Sequence, residues 1–219
     1  MDRTRNPANG LCCSVGLNPT LSARLGRRRL NCPMIEIRKT RPTEVQVLMD
    51  IFEQAKRIMR KNGNMLQWSG NYPSPEIVTA DIKKGNSYVC SDSGGEIVGT
   101  FAFIRGNDPT YTHIYEGEWL ENTLPYGVIH RLASTENSRG VADACLQWCY
   151  KQIPNLRVDT HRHNRILQHI LKKHGFQYCG IIFLANGDER LAFQKTADAV
   201  PSPSIQKPIQ INSHDTNKN

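Results

Sequence analysis

Apolar residues recur along the central part of the chain at two periods, and the switches between them mark out the elements. Val45, Leu48, Phe52, Ala55 and Met59 lie three and four residues apart, which places them on one face of a long helix. Pro42 suits the first turn of that helix, and Asn62-Gly63-Asn64 ends it. Ile77, Ala80 and Ile82 predict a shorter helix over 75–83. Residues 35–39 read as a strand, as do 86–91 and 96–105, the last two meeting at the turn Asp92-Ser93-Gly94-Gly95. Residues 126–133 are an apolar, β-branched run suited to a buried strand, and a polar turn follows at 134–138. Val141, Cys145, Trp148 and Cys149 then form one helical stripe, stopped by Pro154. A strand at 156–161 precedes a helix over 164–174, with Ile166, Leu167, Ile170, Leu171 and His174 on one face and Gly175 closing it. Residues 176–184 and 189–195 pair around Asn186-Gly187-Asp188, a hairpin turn signal. Two stretches lack a period: the loop 65–75, which carries Trp68 and Tyr72, and the connection 110–125. Hairpins mixed with a crossover helix predict a single mixed sheet, an α/β (α+β) domain.

Composition narrows the setting. The chain has 219 residues, 38% of them hydrophobic, and no apolar run long enough to span a bilayer. The N-terminus has no apolar segment of the secretory type. Seven cysteines at irregular spacing, including Cys12-Cys13, do not form a disulfide framework, so a reducing, cytoplasmic location is expected. The formal charge of +8 is concentrated at one end: six arginines against Asp2 give residues 1–33 a charge of +5 and leave +3 for the rest. Residues 1–33 therefore read as a disordered basic arm, 34–195 as the folded domain, and 196–219, polar and proline-rich, as a disordered tail. The basic arm leaves open a nucleic-acid-associated role, which the near-balanced charge of the domain does little to support. A mildly basic domain suits a polyanionic small molecule.

The chemistry concentrates in residues 126–142. A strand that hands a small-residue turn to a helix N-terminus offers free backbone N–H groups and partial positive charge, which together make an anion site. Gly140 allows a phosphate close to the backbone, Ala142 keeps the first turn uncrowded, and Arg139 adds charge. No CxxC pair or HExxH is present, so no metal is expected.

The spacing Asn137-x-x-Gly140-x-Ala142 resembles the pyrophosphate loop of the GNAT superfamily of acyl-CoA N-acyltransferases, with Asn137 where Gln or Arg is usual. Asn164 followed by Lys173-His174-Gly175-Phe176 is similar to a second segment of that superfamily, at the expected separation, and the element order agrees over about residues 34–195. The resemblance implies a mostly antiparallel central sheet flanked by helices, with a splayed pair of strands. It implies acetyl-CoA as co-substrate and a primary amine, on a small molecule or a protein, as acceptor in a ternary complex, with a monomeric or homodimeric enzyme. The expected cofactor residues are Leu132, Ala133, Asn137, Ser138, Arg139, Gly140, Val141, Ala142 and Asn164, the last contacting the pantetheine arm or shaping its site. An amine needs a base to become nucleophilic. The superfamily's strand Glu is missing here; His130 and Tyr126, on one strand face, are the candidates, with Glu116 and Glu118 as remote alternatives. The Tyr that many relatives carry on the last helix falls near Leu171. These departures leave a non-catalytic CoA-binding module as the alternative.

Overall fold

The computed structural model describes residues 34–197; the basic arm and the proline-rich tail inferred from the sequence lie outside them. The elements are β1 (Glu36–Lys39), α1 (Val45–Lys61), α2 (Pro75–Lys83), β2 (Ser87–Ser91), β3 (Ile97–Arg105), β4 (Gly127–Ser134), α3 (Val141–Gln152), β5 (Asn155–Thr160), α4 (Arg165–Lys173), β6 (Gln177–Phe183) and β7 (Glu189–Thr196). The seven strands form one sheet in the order β1-β2-β3-β4-β5-β7-β6. All neighbours are antiparallel except β4 and β5, which the crossover helix α3 makes parallel.

The strand alternation assigns the two faces. Ile129 packs with Val141, Cys145 and Leu146 of α3 and Leu171 of α4. Its neighbour Val128 faces the other way, into a cluster with Tyr111, Trp119 and Tyr126. Further along that second face, Ala133 meets Leu48, Ile51, Phe52 and Ala55 of α1 and Val78 of α2. Helices α3 and α4 thus cover one face, and α1, α2 and the 106–126 connection cover the other.

That connection has no apolar period, yet the structure orders it. Arg157 on β5 is 1% exposed and stacks its guanidinium on Tyr126 and Trp119, at 3.8 and 4.1 Å from the ring centroids. Its Nη2 donates to the Glu121 carbonyl and to Asn122 Oδ1, both at 2.9 Å. A buried charge that reaches out to carbonyls and π faces ties the connection to the sheet where hydrophobic patterning does not. Tyr115 adds a two-bond bridge to Ile181 on the outer strand β6.

Two irregularities lie on β4. It pairs with β5 only from Gly127 to Ile129, opposite Leu156 to Val158, and beyond that point the two strands part. Across β3, Thr100 faces Ala133 and Ala102 faces His130, so Phe101 alone is opposite both Arg131 and Leu132. This is a β-bulge centred on Arg131, whose φ of 53° is in the left-handed region. A non-glycine residue there costs on the order of 1 kcal/mol. The extra residue sends the His130 and Arg131 side chains to the same face.

Among the described residues no helix is long and apolar enough to cross a membrane.

Candidate functional site

The parting of β4 and β5 opens a cavity of about 580 Å³ that reaches both faces of the sheet. On the α3/α4 side its wall is Ile129, Leu132, Val141, Ala142, Asn164, Leu167 and Ile170. On the α1/α2 side the wall is His130, Arg131, Ala133, Trp68, Tyr72, Asp108 and Asp159, with Asp188 and Arg190 from the β6–β7 hairpin.

Gly140 caps α3 with φ 79°, a conformation open to glycine without strain. Among the described residues the backbone N–H groups of Gly140, Val141, Ala142 and Asp143 find no protein acceptor, and the first bond back into the helix is from Ala144 N to Gly140 O. They lie at the positive end of the α3 dipole. Asp143, in this first turn, would oppose an anion, but Lys173 Nζ and His174 Nε2 hold its carboxylate at 2.8 and 2.7 Å. The hydrogen bond from Lys173, then that from His174, lowers its pKa. The helix start is close against β3: a Cβ on Gly99 would come within 2.4 Å of Val141 Cγ1. Asn137 and Arg139 are exposed, and Ser138 turns its hydroxyl back to the Thr135 and Val98 carbonyls, at 3.0 and 3.3 Å. These loop residues border open surface and do not line the cavity.

Asn164 lines the cavity, but its side chain is committed. Oδ1 accepts from Leu167 N as the α4 cap (3.1 Å), and Nδ2 donates to Gln67 Oε1 (3.0 Å), which also accepts from Asn64 Nδ2 (2.8 Å). Of the two roles expected for Asn164, this geometry fits shaping the site. Leu171 is completely buried among the α3 and β5 side chains, so its place on α4 offers core packing and no proton donor.

The two base candidates separate. Tyr126 is 7% exposed, lies under the Arg157 guanidinium just before β4 begins, and does not line the cavity. His130 lines the cavity at the first unpaired position of β4. Its Nε2 is 2.8 Å from Asp108 Oδ2, and Asp108 Oδ1 accepts from Thr110 N at 2.9 Å. Burial pushes the Asp108 carboxyl up, but the His130 hydrogen bond and charge, with the Thr110 bonds, outweigh it and bring the carboxyl to about 2. An ionised carboxylate can only accept, so Nε2 carries the proton and Nδ1 keeps its lone pair free. Nδ1 is 3.9 Å from Asp159 Oδ1 on β5, across the opening. Tyr111 donates to that same Oδ1 at 2.6 Å, and burial first, then the Asp159 charge, keeps its phenol protonated by raising its pKa well above normal. Arg190 Nε is 3.9 Å from Asp159 Oδ2.

Sequence reasoning overlooked Asp108, Tyr111 and Arg131. Asp108-Pro109 carries only a turn signal, and its partner is 22 residues away on another strand. Asp159 turns toward Tyr111 and His130, while the His161 and His163 rings meet edge to face with centroids 5.0 Å apart. Trp68 both packs on Phe52 (5.6 Å) and lines the cavity.

The depressed Asp108 pKa has a consequence for stability. A carboxylate whose folded pKa is below its unfolded value of about 3.9 contributes stability above that value and loses it as pH falls toward the folded pKa. The Asp108→Asn variant should therefore melt lower than wild type at neutral pH, and the two melting curves should converge as pH drops from 4 towards 2. Calorimetric melts across that window check this; a gap independent of pH would mean that Asp108 is not the carboxylate being titrated.

Comparison with solved structures follows the same lines. An acetyltransferase of the GNAT family from Streptococcus agalactiae matches with 35% identity and a TM-score of 0.67, covering 75% of this chain and 96% of its own. A GNAT-family acetyltransferase from Listeria monocytogenes (18% identity, TM-score 0.55, 74% of this chain and 94% of its own) shares the fold. So does an acetyltransferase structure from Staphylococcus aureus (21%, TM-score 0.54, 73% and 97%). No family model and no curated protein matches the chain. The splayed mixed sheet and these likenesses define an acetyltransferase fold, and the chain belongs to the GNAT family.

Proposed function

We propose that the protein transfers an acetyl group from acetyl-CoA to a primary amine by direct attack within a ternary complex. The observation that carries this reading is the cavity at the β4–β5 splay. It joins a face with free N–H groups at a helix start to a face with a poised histidine.

The residues present fit CoA. The N–H groups of residues 140–143 suit its pyrophosphate, with Arg139 beside them. Beyond Ile129, β4 presents an edge unpaired with β5, along which the pantetheine amides can add like a strand beside Leu132 and Ala133. Acetyl-CoA supplies an activated acyl carbon, and a backbone N–H on that edge can stabilise the charge that builds on the thioester oxygen.

The amine enters from the opposite face. It arrives as an ammonium ion, and Asp159, held by Tyr111 and Arg190, is placed to dock it next to His130. Nδ1 of His130 takes the proton, and Asp108 stabilises the imidazolium that results. The neutral amine can then attack. With Leu171 buried in the core, α4 supplies no acid; a thiol of pKa about 8.5 departs as thiolate unaided. Direct attack is also favoured because the described cysteines are buried, with burial pushing Cys90 up to about 12 and Cys145 well above its normal range.

The test is steady-state kinetics with acetyl-CoA and a panel of primary amines, following thiol release and acetylated product. Intersecting double-reciprocal lines are expected. Parallel lines would point to an acyl-enzyme, and CoA binding without turnover to a non-catalytic module.

A further inference from the structure

The charges on the acceptor side do not balance. Arg131, at the bulge, is neutralised by Asp81 of α2, whose Oδ2 is 2.6 Å from Nη2, and Nη1 donates to Tyr72. Arg190 is a single guanidinium between two carboxylates: Asp159 at 3.9 Å and Asp188, whose Oδ2 is 3.4 Å from Nη2. The charged partner of Asp108 among the described residues is His130 alone. With a neutral imidazole, one negative charge is left over at Asp108 and another around Arg190. No lysine lines the cavity. An ammonium docked between His130 and Asp159 offsets the charge at the His130–Asp108 pair, and the second, shared by Asp159 and Asp188 around Arg190, remains.

We infer that the acceptor is an aliphatic diamine, its reacting nitrogen at His130 and Asp159 and its far ammonium at Asp188 on the cavity rim. This rests on the proposed amine acetylation at His130 and names its substrate class. Asp159 is 13% exposed and Asp188 47%, so the two carboxylates lie deep and shallow along one wall, either side of Arg190. The Asp188 carboxylate already receives Asn186 Nδ2 at 3.1 Å through Oδ2, and Oδ1 is open. Trp68 and Tyr72, lining the same side, offer π faces that favour a cation over an anion. A carboxylate on the acceptor would meet the Asp108, Asp159 and Asp188 charges, whereas Arg131 Nε, buried without a hydrogen-bond partner among the described residues, is a donor it could use.

The test compares three amines with one four-carbon spacer: 1,4-diaminobutane, 1-aminopentane and 5-aminopentanoate, whose far ends are cationic, neutral and anionic. Two measurements are made: kcat/KM with saturating acetyl-CoA, and calorimetric binding of each amine to the protein loaded with CoA. A partly buried charge pair is expected to favour the diamine over 1-aminopentane by about tenfold in both, with 5-aminopentanoate weakest. In Asp188→Asn the ratio of diamine to 1-aminopentane should collapse to within about threefold. Equal binding of diamine and 1-aminopentane would overturn the inference, as would an unchanged ratio in the variant. Preference for 5-aminopentanoate would also overturn it and give the free Nε of Arg131 its ligand. Turnover of all three amines alike would leave the proposed acetyl transfer standing and sink the diamine alone. Selective diamine binding with no turnover of any amine would support the diamine site and remove the transferase reading.

Discussion

His130→Ala should lower kcat by about 10²- to 10⁴-fold while CoA affinity, measured calorimetrically, changes by less than about threefold. The contrast follows from position. His130 projects to the α1/α2 face, whereas the groups suited to CoA are the β4 edge and the α3 N-terminus. Loss of the imidazole removes the proton acceptor from the amine and leaves an ammonium, which has no lone pair with which to attack. Asp108→Asn should fall between wild type and His130→Ala. Its amide can still accept from Nε2 and hold the ring, but it carries no charge to stabilise the imidazolium, so a loss of about 10- to 100-fold in kcat is expected. His130→Ala also leaves Asp108 partly buried without its partner, so circular dichroism must show that the variant is folded at the assay temperature. A folded His130→Ala protein with kcat within threefold of wild type would rule out His130 as the base.

The helices and strands were legible wherever burial imposes a period. The α1 stripe Leu48, Phe52 and Ala55 is buried as its spacing implies, and the hairpin turn at Asn186-Gly187-Asp188 joins β6 to β7. The helix start at Gly140 could be read because its determinants are local: a glycine with positive φ and the helix it starts. The dyad partner was not legible for the opposite reason. Asp108 and Tyr111 are on a segment with no period, since Arg157 holds it by carbonyl bonds and ring faces rather than by an apolar stripe. The bulge at Arg131 was equally hidden. Strict alternation from His130 would send Arg131 toward α3 and α4, and the inserted residue reverses this to reach Asp81 and Tyr72. Chemistry that depends on residues far apart in sequence becomes visible once the sheet is assembled. The substitution of Leu171 for a tyrosine was visible in the sequence, but its meaning came from burial: it fills the core and has not been replaced on α4 by another phenol.

Gly140→Trp should abolish measurable CoA binding, at least a 10²-fold loss, and leave the fold intact. Two effects act at this position and need to be separated. Gly140 caps α3 at φ 79°, where a side chain costs roughly 1–2 kcal/mol of backbone strain. Gly140→Ala carries that strain with one methyl group, so it should lower the melting temperature by a few degrees and weaken CoA by about tenfold or less. Gly140→Trp adds an indole beside the N–H groups of Val141, Ala142 and Asp143, in the space a pyrophosphate needs. These donors remain in place, so the further loss measures exclusion of the phosphates rather than removal of their partners. Neighbouring packing limits the alternatives: Val141 is 2% exposed and wedged over Gly99, so the helix start cannot slide away to make room for the ring. Calorimetry with CoA and with dephosphorylated pantetheine distinguishes the outcomes. Loss of CoA affinity with weak pantetheine binding retained places the phosphates at residues 140–143. Equal CoA affinity in wild type and Gly140→Trp would move the pyrophosphate elsewhere and take the donor half of the proposed reaction with it.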